Sequence, residues 1–123
     1  VRERGVLQAE LGARQRDFFL TSWGNASLDP VDLLNPTLRT DGPGNYTGYS
    51  SPQTDALLAQ AMIELDPERR ARLYAECARL IHTDAPWVFL FTMKELYGAR
   101  VQLSGWRPSR DGWLSMHDAA LDF

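Results

Sequence analysis

Ser51-Pro52 and Asp66-Pro67 constrain this chain more than any other feature of its sequence. Each couples a side-chain oxygen that can accept from the backbone to a proline at the first helical position, where the missing N–H is no loss. Together they predict two consecutive helices with fixed starts. After Pro52, the residues Leu57, Leu58, Ala61, Met62 and Leu65 fall on one face at helical spacing. After Pro67 the stripe is Leu73, Cys77, Leu80 and Ile81, flanked by Ala71, Tyr74 and Ala78. Glu68 follows the second proline, where the helix dipole favours an acid. Arg69, Arg70, Arg72, Glu76 and Arg79 occupy the other faces and read as a solvated surface, with Glu68–Arg72 and Glu76–Arg72 or Glu76–Arg79 as weak ion pairs. Asp84-Ala85-Pro86 ends the pair, because proline disfavours helix at the residue before it.

Around this pair the pattern changes. Residues 5–15 carry Val6, Leu7, Ala9, Leu11 and Ala13, a short helix weakened at Gly12 by about 1 kcal/mol relative to alanine. Asp17 to Trp23 is an aromatic and apolar run that reads as a buried strand. From Gly24 to Ser51 the chain is polar and rich in proline and glycine. Within it Asp29-Pro30-Val31-Asp32-Leu33-Leu34 predicts one helical turn, and Asp41-Gly42-Pro43-Gly44-Asn45 a tight turn. Trp23, Tyr46 and Tyr49 lie in or beside this stretch, so it is expected to be ordered rather than a linker. Trp87 to Thr92 reads as a strand buried on both faces and Glu95 to Val101 as a second extended segment. Gly105 to Trp113 reads as a turn-rich loop and Met116 to Phe123 as a last short strand or a loose tail.

Several function classes fall away. The longest apolar run is the five residues Trp87-Val88-Phe89-Leu90-Phe91, against the ~20 that a membrane-spanning helix needs. Thirteen basic residues face sixteen acidic ones, a net charge of −3, which leaves no basic footprint for nucleic acid. Cys77 is the single cysteine, so an internal disulfide and a cysteine-based zinc site are excluded; it reads as a buried small apolar residue. His82 sits at a helix end and His117 beside Asp118, neither with partners at metal-ligand spacing. There is no nucleophile elbow and no phosphate-binding glycine loop; no cofactor is expected. Asn45-Tyr46-Thr47 fits the glycosylation acceptor pattern, a match common by chance.

What remains is aromatic and small-polar. Trp23 ends the 17–23 run and Gly24-Asn25-Ala26-Ser27 follows at once. Ligands of open α/β sheets bind just beyond the carboxyl ends of strands. An indole there supplies a stacking wall, and Asn25 and Ser27 supply hydrogen bonds. The competing reading is that Trp23 caps the core.

The ordered string DFFLTSWGNASLDPVDLLNP, GNYTGYSSPQTDALLAQAMIELDPERRARLYAECARLIHTDAPWVFLF and YGARVQLSGWRP resembles the C-terminal part of the family 5 bacterial extracellular solute-binding proteins, the dipeptide, oligopeptide and nickel receptors of ABC importers. The motifs are Trp23 followed by Asp29-Pro30, Asn45-x-x-x-Tyr49-Ser50, Asp55-x-Leu57-Leu58, Asp66-x-x-x-Arg70, Leu73-Tyr74, Pro86 before an apolar run, and Gly105-Trp106-x-Pro108. The resemblance runs from about Asp17 to Arg107. It implies an α/β fold: a C-terminal fragment of a two-lobed, type II-like periplasmic binding protein, with the helix pair packed on a small mixed sheet. The whole of residues 1–123 is then expected to be part of the second lobe with the strand returning toward the first. Val1-Arg2-Glu3-Arg4 accordingly reads as the middle of a longer polypeptide, whose signal peptide would lie upstream.

The resemblance also implies a non-enzymatic role in the periplasm or at the cell surface: binding a peptide or similar small polar solute and handing it to a membrane permease. In the oligopeptide-binding members a tryptophan and an aspartate three residues later contact the ligand. Trp23 matches the first; Ala26 stands at the second, which removes the carboxylate that would pair with a peptide amino terminus. The ligand-binding candidates are therefore Trp23, Asn25, Ser27 and Asp29, with Asp29 expected to cap a turn before Pro30. Two other readings stay open. A hydrolase using Asp29 or Asp32 requires two ionisable groups in one pocket with opposed pKa shifts. A helical interaction module built on residues 52–83 requires an exposed apolar stripe with no sheet beneath it. Apolar surface meant for a missing lobe is also expected to make the fragment self-associate.

Overall fold

A computed structural model describes residues 2–110 and 112–122; Val1, Asp111 in the expected Gly105–Trp113 loop, and Phe123 at the end of the expected tail strand lie outside the described residues. The chain divides into two units, Val1–Val88 and Phe89–Phe123.

The first unit is built on the two helices that the Xaa-Pro pairs open. They are α3, Pro52–Ile63, and α4, Pro67–Asp84 (α1 and α2 precede them in the chain and are described below). Ser51 Oγ accepts from the Thr54 N–H at 3.3 Å and Asp66 Oδ1 from the Arg69 N–H at 2.7 Å, so both expected N-caps form. α4 stops at Ala85, which takes the left-handed conformation (φ 46°) and returns its N–H to the Ile81 carbonyl. Leu38, Leu58, Ala61, Tyr74, Cys77 and Ile81 make the core, with Val31, Leu34, Tyr49, Leu57, Leu73 and Trp87 packed around it. Met62 and Leu65 leave the predicted stripe and are exposed. α3 ends at Ile63, so Leu65 no longer follows the helical period. Cys77 is fully buried, and its thiol is pushed up to about 11 by burial first and the Asp55 charge second.

Two shorter helices precede the pair. α1, Arg4–Gly12, matches the short helix expected over 5–15 and starts on the Glu3 carboxylate, which accepts from Gly5 and Val6. α2, Val31–Leu38, runs for eight residues rather than one turn and contains Pro36. It continues past the proline because Leu38 and Thr37 are buried, and Leu38 joins the core. After α2 the chain turns tightly around Asn45, only 7% exposed. Its amide donates to the Arg39 and Tyr49 carbonyls at 3.0 and 2.7 Å and accepts from the Tyr49 N–H at 3.0 Å. That nitrogen is fully used inside the fold, so the glycosylation match is a turn-forming asparagine. The Tyr49 hydroxyl then donates to Asp84 Oδ2 at 2.6 Å and lies 3.0 Å from Thr54 Oγ1, tying the loop to both ends of the helix pair. The 24–51 stretch is thus ordered, as its aromatics suggest.

The strands are where the sequence expectation fails. Residues 17–23 form no strand, and Phe18 is 93% exposed. Residues 87–92 and 95–101 form none either; Val88 is 84% exposed, and Phe89, Leu90 and Phe91 are exposed too. An apolar run becomes a strand only where a second strand runs beside it, and among the described residues no such neighbour does. The small mixed sheet expected beneath the helix pair is therefore not formed in this unit; α2 and the Tyr49 loop cover the pair instead.

In the second unit β1, Leu103–Ser104, pairs antiparallel with β2, Ala120–Leu121, in the register Leu103 to Leu121. The tail does supply a short strand, and β1 lies just before the predicted loop rather than in it. Gly105 follows β1 at φ 72°, and a Cβ there would overlap the Asp118 carbonyl, so only glycine fits this turn. Tyr97 and Trp106 meet edge to face at 5.7 Å. They line, with Arg100, Leu103, Leu114 and Met116 among others, a mainly apolar cavity of about 360 Å³.

Candidate functional site

Trp23 is set by three local features rather than by a strand. The first is Pro36. A residue other than proline at that position would donate its N–H to the carbonyl four residues back, that of Asp32. Proline leaves that carbonyl open, and the Trp23 indole N–H donates to it at 3.0 Å. The second is Gly44, a buried glycine: a Cβ there would lie 2.6 Å from Cζ3 of Trp23 and 2.8 Å from Cη2. The ring therefore rests against bare backbone. The third is the Ser27–Asp32 turn. Asp32 Oδ2 accepts from the Ser27 N–H at 3.0 Å, and Ser27 Oγ accepts from the Asp29 N–H at 3.1 Å. The indole lies outside the core cluster and keeps 40% of its surface exposed.

The four sequence candidates differ in what they leave available. Trp23 offers an exposed ring. Ser27 is exposed. Asn25 is half-buried, its Oδ1 turned away from solvent without a donor. The Asp29 carboxylate is committed. One oxygen accepts from the Val31 N–H at 2.9 Å, holding the turn that leads into α2, and from the Tyr74 hydroxyl at 3.3 Å. The other pairs with Arg70 Nη1 at 2.6 Å. The Val31 N–H, and with it Arg70 and Tyr74, holds the Asp29 carboxyl below the usual carboxylate range against the opposing effect of burial.

Arg70 is the residue that the sequence reading misplaces. It was expected on a solvated face, yet all three guanidinium nitrogens are used. Nε donates to the Ala61 carbonyl at 3.0 Å, one of the carbonyls left open at the end of α3. Nη1 holds Asp29, and Nη2 donates to the Tyr74 hydroxyl at 3.3 Å. The guanidinium also lies over the Tyr74 ring, 5.3 Å from its centroid. Position 74, one turn beyond 70 on the same helix, was the available signal. By contrast the Glu68–Arg72 and Glu76–Arg79 pairs form as loose exposed contacts at 3.7 and 3.8 Å.

These facts bear on the open readings. The hydrolase reading needs two ionisable groups facing one pocket with opposed pKa shifts. Instead Asp29 is tied to three protein donors and Asp32 accepts a backbone N–H. The interaction-module reading needs an exposed apolar stripe with no sheet beneath it: among the described residues no sheet forms beneath the pair, but Leu58, Ala61, Cys77 and Ile81 are buried against one another and their neighbours. No cluster of metal-ligating side chains occurs among the described residues.

No family model matches the chain, and no solved structure matches it significantly. Curated relatives do. A glutathione-binding protein of Pectobacterium atrosepticum is 31% identical over 116 residues, 91% of this chain and 22% of that protein. Its namesake in Escherichia coli strain K12 is 31% identical over 121 residues, 95% of this chain and 23% of that protein. A heme-binding protein of Haemophilus influenzae is 32% identical over 68 residues, 54% of this chain. The chain thus spans less than a quarter of the length of these relatives. Over nearly its whole length it is homologous to a C-terminal segment of the family 5 solute-binding proteins.

Proposed function

We propose that the chain is part of the solute receptor of an ABC importer, working in the periplasm or at the cell surface. It forms part of the second lobe of a two-lobed protein, together with the segment that returns toward the first. It binds a small peptide or similar polar solute and delivers it to a membrane permease; no bond is made or broken, and no cofactor or nucleic acid takes part. Ligand contacts to both lobes favour the closed state over the open one. Trp23, Asn25 and Ser27 line the ligand cleft, and Asp29 serves them from behind.

The observation that carries this reading is the alignment of 95% of the chain with a protein named for binding glutathione, itself a tripeptide. The half-exposed indole outside the core supports the choice of wall. The test is a chimera in which these residues replace the matching stretch of the Escherichia coli glutathione-binding protein. Calorimetric titration is expected to give glutathione binding, weakened about tenfold or more by Trp23→Ala, the scale of a lost aromatic anchor. A folded chimera whose glutathione affinity is indifferent to Trp23→Ala would remove Trp23 from the cleft. A folded chimera that binds neither glutathione nor other short peptides would overturn the solute class.

A further inference from the structure

We propose that Arg70 is the positioning residue of the Trp23 indole, acting through Asp29 and the first turn of α2. The proposal rests on the reading of Trp23 as a ligand wall and assigns what holds that wall at its angle. The path is short and continuous. Arg70 is anchored on the helix pair at both ends, by Nε on the Ala61 carbonyl of α3 and by Nη2 on Tyr74 of α4. Nη1 grips the Asp29 carboxylate at 2.6 Å, and the same carboxylate accepts from Val31 at the start of α2 and from Tyr74. Asp32 is the next residue along, and its two acceptors hold the site: the carbonyl takes the indole N–H, the carboxylate takes the Ser27 N–H.

Removing the guanidinium leaves Asp29 as a partly buried charge without its cation, and an unpaired charge there is costly. The Asp29 turn is then free to reorient, and the Asp32 carbonyl moves with it. The core residues Leu58 and Cys77 lie on the helix pair itself and do not depend on Asp29. Because Arg70 also donates to the Ala61 carbonyl and to Tyr74, both core residues, the protection of the Leu58 and Cys77 amides is what separates the angle of the indole from general stability.

The experiment is hydrogen exchange by NMR on the ¹⁵N-labelled chain, with the Trp23 indole resonance assigned by its loss in Trp23→Phe. In Arg70→Met the Trp23 indole N–H is expected to exchange about tenfold faster, the loss of one charge-assisted hydrogen bond. The Leu58 and Cys77 backbone amides keep their protection. Arg70→Lys retains the cation beside Asp29 and is expected to fall between wild type and Arg70→Met. Asp29→Asn keeps the side-chain shape and carries the same two readings should Arg70→Met fail to fold. Unchanged indole exchange in these variants overturns the proposal. So does an increase matched by the core amides, which would make Arg70 a general stabiliser. No ligand enters the measurement. The positioning role can therefore fail while the chimera binds glutathione, and the chimera can fail while the indole responds.

Discussion

At the scale of single residues, the carboxylates near Trp23 are structural acceptors. Asp29 is the clearest case: the Val31 N–H first, then Arg70 and Tyr74, favour its charged form. A carboxyl held below its unfolded value of about 3.8 adds stability that is present above that pH and lost as pH falls through the lowered folded value. Urea titrations are therefore expected to show a loss of stability below about pH 4 that is smaller in Asp29→Asn, which has no charge to lose. An equal acid slope in both proteins would mean that the Asp29 pairing adds nothing to the native state. The same scale shows what a motif match can hide. Asn45 reads as a sugar acceptor from its neighbours two residues on, but the three backbone bonds it makes are invisible until the chain is folded.

At the scale of elements, the helices were legible because their signals are local. A cap and a proline fix a start, apolar period fixes a face, and a proline after the last turn fixes an end. Asp66 tests this directly. Asp66→Ala is expected to lower stability by about 1 kcal/mol through loss of the bond to the Arg69 N–H, read from the urea midpoint at constant slope. The strands were not legible in the same way, because pairing is not local. Phe18 and Val88 sit in runs with every compositional mark of a strand, and neither run finds a neighbour among the described residues. Of the proposed site, sequence order put forward Trp23, Asn25 and Ser27, while Arg70 looked like one arginine among several on an outer face. Its role comes from a partner forty-one positions earlier in the chain, a separation that no periodicity reports. The residues carrying the family resemblance include Asp29, Arg70 and Tyr74, and the fold brings these three together.

At the scale of the molecule, apolar side chains remain in solvent along 88–91 and at Phe18 and Leu20, and patches of that kind drive association. The isolated chain is expected to self-associate, and light scattering across a concentration series checks it. A mass that stays at one chain, 13.9 kDa, to high concentration would show that these side chains are accommodated without a partner. The arrangement at Pro36 carries a different consequence, for how such a molecule can vary over time. The open Asp32 carbonyl is a socket cut to fit an indole. Phenylalanine at 23 would leave it empty, and an ordinary amino acid at 36 would fill one of its two lone pairs from within the helix and make the ring share the acceptor. The two positions are thus coupled through one oxygen, and a change at either alters the hold on the ring.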